Sequence, residues 1–136
     1  MSRPIAIVVA PQLDATWSAD LANAATCWNV RYGIALAVRA PEPGDVIANV
    51  ESCPAYTGIG RALDGDSVLT CIAYNGLRWF SAMYALQRVL GVPANWYDGI
   101  TTFSPAADDA MASLYGRGVA CHTLVQDADR ACTCAD

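Results

Sequence analysis

The run Ile5-Ala6-Ile7-Val8-Val9-Ala10 is uniformly apolar, is closed by Pro11, and gives way at once to Trp17, Leu21, Ala24, Ala25 and Trp28 at helical spacing. A buried strand followed directly by an amphipathic helix constrains the chain more than any other feature, because it calls for a sheet with a helix packed on it. Asp14 belongs to the turn, and Thr16 or Ser18 is expected to cap the helix.

Ile34 to Val38 reads as a short strand ending at the Pro41-Glu42-Pro43-Gly44 turn, and Asp45 to Ser52 alternates as a strand does. Pro54 breaks it. Tyr56 to Leu63 carries two glycines in the manner of an edge strand, Asp64-Gly65-Asp66 is a hairpin-type turn, and Ser67 to Tyr74 is a further strand. A central helix is expected over Leu77 to Leu90, opened by Asn75-Gly76 and stopped by Gly91 and Pro93. A third starts at Ser104-Pro105 and runs to Tyr115-Gly116. The fold class is α/β (α+β), a twisted sheet of about four to five strands with three helices. Residues 1–117 are expected to form one domain and residues 118–136 a cysteine-containing tail.

A length of 136 residues suffices for one core, and 54% hydrophobic against 15% charged residues makes disorder a poor description. So low a charge density leaves apolar surface over, which favours protein partners or self-assembly. The net charge of −5 gives no attraction to phosphate backbones or anionic lipid, and no apolar run reaches the roughly 20 residues of a membrane span. The first apolar run is too short for the core of a secretory signal, so a cytoplasmic location, or incorporation in a virion, is expected. All eight basic residues are Arg, as GC-rich coding produces.

Cys27, Cys53 and Cys71 lie in apolar segments and are expected to be buried thiols. Cys121, His122, Cys132 and Cys134 crowd the tail, where three readings stand open: a zinc site, a disulfide-closed tail, or a plain tail.

Three stretches resemble the snapalysin group of the metzincin zinc peptidases. They are Asp20 to Asn29, with its Ala-Asn-Ala-Ala and Trp-Asn; Arg88-Val89-Leu90-Gly91-Val92-Pro93; and Ser104 to Gly116. The resemblance spans about residues 5–117 and implies a metzincin-like fold. The family's zinc motif is H-E-x-x-H-x-x-G-x-x-H or D, in which imidazoles one helical turn apart converge on the metal and the Glu activates a water. With its Gly on Gly91, Tyr84 stands at the first His, Ala85 at the Glu, Arg88 at the second His and Ala94 at the third ligand. No Met lies between Gly91 and Ser104 to form the family's Met-turn. The resemblance therefore implies a pseudoenzyme that uses no cofactor, a structural or protein-binding module; Arg without Lys, the expected lack of an export signal, the small single domain and the apolar composition point to a component of a phage virion. Phe80, Trp96 and Tyr97 are candidates for its binding surface, and Asp98 for a partner of Arg88. The rival readings are a zinc metallopeptidase with unconventional ligands and a zinc-stabilised interaction module built on the tail.

Overall fold

The computed structural model describes residues 3–53, 62–64, 67–73, 77–93, 95–99 and 102–136. The first apolar run forms strand β1 (Ile5–Val9), followed by helix α1 (Ala15–Tyr32), β2 (Leu36–Val38), β3 (Val46–Ser52), β4 (Ala62–Asp64) and β5 (Ser67–Ile72). Helix α2 (Arg78–Leu90), the pair β6 (Tyr97–Gly99) and β7 (Thr102–Phe103), helix α3 (Pro105–Tyr115), and the pair β8 (Leu124–Gln126) and β9 (Cys132–Cys134) complete the order.

The five strands β1 to β5 form one sheet in the order β2-β1-β3-β5-β4. Its first four members run parallel, and β4 lies antiparallel on the edge beside β5. Short hairpin-like spacing between β4 and β5 permits the antiparallel return, whereas parallel neighbours need a crossover such as α1. The α/β class, the three helices and the five strands of this sheet agree with the sequence expectation; the pairs β6–β7 and β8–β9 were not among the expected strands. The expected edge strand over Tyr56 to Leu63 is represented by Ala62 and Leu63; the rest of it, and the expected turn at Gly65-Asp66, lie outside the described residues.

One face of the sheet is packed. Ile7, Leu36, Ala48, Val50 and Ile72 meet Leu21, Ala24, Ala25 and Trp28 of α1 and Ala82, Met83, Leu86 and Val89 of α2. On the opposite face Val8, Asn49 and Leu69 stand in register across three strands and are half-buried to exposed.

Helix α1 is capped earlier than expected, two residues before Thr16 and four before Ser18. Asp14, not Thr16 or Ser18, is the N-cap: its backbone is extended and its carboxylate accepts from the Trp17 N–H at 3.0 Å. A carboxylate satisfies an orphan N–H and also meets the positive end of the helix, which a hydroxyl does less well. The other terminators are as the sequence foretells. Gly91 and Gly116 sit at φ 76° and 65°, and Ser104 caps α3 with Pro105 in its first turn.

The cysteines differ from expectation. Cys53 and Cys71 join the end of β3 to β5, and Cys27 on α1 joins Cys132 on β9, so none of Cys27, Cys53 and Cys71 is a thiol. Cys121 pairs with Cys134. Cys132 and Cys134, two apart on β9, thus bridge to different partners, one on α1 and one just before β8. The hairpin packs on α1, where the Cys132 N–H donates to the Thr26 hydroxyl at 2.7 Å and Ala120 N–H to the Arg31 carbonyl at 2.7 Å.

Candidate functional site on the central helix

Phe80, Tyr84 and Arg88 recur every four residues and share one half-buried face of α2. The remaining positions face the core: Trp79, Ala82, Met83, Leu86, Val89 and Leu90 are buried, and Ala85 is 0% exposed. The helix is held against the next segment by Gln87, a residue whose role no periodicity in the sequence announces. Its Nε2 donates to the Val92 carbonyl at 3.2 Å and its Oε1 accepts from the Trp96 N–H at 3.1 Å, while Ser104 returns the segment by donating from its N–H to the Trp96 carbonyl at 2.8 Å.

That segment seats Trp96 under the helix. The ring lies 5.6 Å from Trp79, 5.8 Å from Phe80, 6.2 Å from Tyr84, 4.9 Å from Tyr97 and 5.4 Å from Phe103, centroid to centroid. Several of these pairs are edge-on, the arrangement ring quadrupoles favour. Trp96 is 1% exposed, so it is a core residue and not an element of a binding surface. The correction has a simple cause: Gln87 and Ser104 fix the backbone on either side, and an indole so placed has only the core to enter. Phe80 and Tyr97 pack beside it, 5.3 Å from one another, and stay half-buried.

Arg88 is half-buried. Its Nη1 approaches the Cys71 carbonyl at 3.5 Å, the outer limit of a hydrogen bond, and removal from water pushes its pKa below the usual guanidinium value without neutralising it. Asp98 is exposed and, among the described residues, no carboxylate pairs with Arg88. Ala94 lies outside the described residues. For zinc the donor set does not fit. Ala85 offers no heteroatom, Arg88 is a permanent cation without a lone pair to give, and Tyr84 alone is no ligand set.

The tail offers no ready metal site either. Cys121, Cys132 and Cys134 are consumed in disulfides, and a bridged sulfur is not the thiolate a metal takes. His122 is exposed, with Nδ1 3.5 Å from the Asp136 carboxylate, which also accepts from the His122 and Thr123 N–H groups and is held below the usual carboxylate range by those bonds. Of the three readings of the tail, the structure has the disulfide-closed one.

Elsewhere, Arg31 of α1 forks onto Asp108 of α3 at 2.9 and 3.3 Å and reaches the Cys121 carbonyl at 2.9 Å, while the Tyr32 hydroxyl donates to the same carboxylate at 2.7 Å. The cluster ties two helices to the tail. A groove of about 230 Å³ between the C-terminal ends of β1 and β3, lined in part by Gln12, Asn49 and Glu51, contains no residue of α2.

No known family model matches this chain, and no curated protein does. Among solved structures, one with a similar backbone is high choriolytic enzyme 1, a hatching enzyme zinc-protease from the medaka fish Oryzias latipes. It is 20% identical over 62% of this chain, with a TM-score of 0.47. The chain spans 41% of that protein. What the site can do is therefore decided by its own residues.

Proposed function

We propose that this chain is a non-catalytic, metzincin-like domain that serves as a structural or protein-binding module. One observation carries the reading: where the snapalysin-like register calls for the general base and the second imidazole, α2 has Ala85, sealed in the core, and Arg88, a half-buried cation. Neither can bind a metal or take a proton from a water, and α2 carries no carboxylate or imidazole to replace them. The aromatic packing of Tyr84 and Phe80 on Trp96 supports the same reading, since it fills the ground beneath the helix with a fixed core.

Three disulfides favour an oxidising setting, which a virion component meets outside the cell and a cytoplasmic one does not. The net charge of −5 speaks against a nucleic-acid or lipid partner, and among the described residues no helix is long and apolar enough to cross a membrane.

Dialysis against excess zinc, then against zinc-free buffer, followed by elemental analysis and assay on a mixed peptide library, tests the proposal. The expected outcome is well under one zinc per chain and no cleavage. Stoichiometric retained zinc, or cleavage abolished by a chelator, overturns it.

A further inference from the structure

The half-buried face of α2 carries a cation whose charge the described structure does not balance. Arg88 has five N–H donors, one of which reaches a carbonyl, at 3.5 Å. Among the described residues no carboxylate answers it, although the chain has 13 acidic residues against eight basic ones. Other arginines are treated differently. Arg31 forks onto Asp108, Arg39 onto Asp45, and Arg78 pairs with both Asp14 and Asp20. One turn before Arg88, Tyr84 carries a phenol on the same half-buried face. Among the described residues its hydroxyl has no recorded hydrogen-bond partner.

We propose that Arg88 and Tyr84 form a carboxylate-binding site, in which the guanidinium fork takes a carboxylate of a bound peptide and the phenol donates to one of its oxygens. The guanidinium is planar and matches a carboxylate with two parallel N–H···O bonds, and partial removal from water strengthens such a pair. An ion of opposite sign would offset the cost that burial now imposes on Arg88 alone. This rests on the binding-module reading of the same helix face and adds the chemistry recognised there. The carboxylate could belong to a chain terminus or to an acidic side chain, and the two sources are separable.

The test follows the arginine Nε–Hε resonances of the ¹⁵N-labelled, metal-free protein in a carboxylate-free buffer. Three N-acetylated alanine-based peptides are titrated: one with a free C-terminal carboxylate, one amidated with a central Glu, and one amidated without it. The Arg88 signal, assigned by its loss in Arg88→Gln, is expected to shift saturably with at least one carboxylate-bearing peptide, at a Kd of about 1 mM as befits a single anchor. Whichever of those two shifts it identifies the source, and the neutral amide is expected to do nothing. Tyr84→Phe is expected to weaken binding roughly threefold to tenfold, the loss of one charge-assisted hydrogen bond. Equal shifts with the neutral amide, or none with either carboxylate up to about ten times that concentration, overturn the proposal. Because this readout is wild-type protein without metal, such a result leaves the non-catalytic reading standing, while retained zinc in the dialysis experiment sinks that reading and not this one.

Discussion

Asn29 supplies with one side chain what a neighbouring strand would supply with its backbone. Its Oδ1 accepts from the Leu36 N–H at 2.8 Å and its Nδ2 donates to the Leu36 carbonyl at 2.9 Å, both on the outer edge of β2. An unpaired edge is an aggregation hazard, and an amide closes it because it carries one donor and one acceptor in the spacing of a peptide group. Asn29→Ala is expected to cost about 2 kcal/mol in urea melts, two hydrogen bonds at roughly 1 kcal/mol each. Arg88→Ala is expected to cost no more than about 1 kcal/mol in the same assay, since it strands no carboxylate and loses one long bond. A loss of several kcal/mol would reveal a buried ion partner. Tyr32 predicts a pH effect. Burial, reinforced by its bond to Asp108, raises the phenol's pKa. A folded-state pKa above the unfolded value of about 10 means that stability is intact below that pH and falls as pH climbs past it. Tyr32→Phe is expected to flatten this alkaline slope in melts between about pH 9 and 11.

At the scale of elements, the helix ends and the tail hairpin matter most. Asp14 both caps α1 and contacts Arg78, whose guanidinium also binds Asp20 and lies 4.0 Å from the Trp17 ring. This welds the starts of α1 and α2 together. The hairpin β8–β9 depends on its crosslinks. Cys27–Cys132 spans 105 positions and Cys121–Cys134 spans 13. Crosslinks restrain the unfolded chain more when the loop is longer, so replacing the first pair by Ala is expected to cost about 2 kcal/mol more than replacing the second. Paired melts of the two double variants measure that difference, and equal losses would mean that native packing, not chain entropy, sets it.

At the scale of the whole molecule, all six cysteines are bridged. Denatured protein prepared without reductant is expected to show close to no thiols with a thiol-reactive dye, and six after reduction. Four or more free thiols per chain would instead restore the buried-thiol expectation for Cys27, Cys53 and Cys71, since only one bridge could then form among the other three cysteines. The order of the main sheet's strands along the chain, the three helices, the glycine stops and the proline start of α3 were legible in the sequence because each depends on residues within a few positions of one another, whereas the short pairs β6–β7 and β8–β9 were not. Legible too were the residues at the motif positions of α2: Tyr84, Ala85 and Arg88 speak through their chemistry alone. The bridging of Cys27 to Cys132, the burial of Trp96 and the solitude of Arg88 were not legible. Each depends on which distant segments meet, and Cys27 and Cys132 become neighbours only after α1 and β9 have packed. By itself the sequence determined the three helices, the strands of the main sheet and the poverty of α2 in metal donors; the tertiary structure alone decided which cysteines join, which aromatics are core and that half-buried Arg88 meets no carboxylate among the described residues, because those are matters of long-range contact.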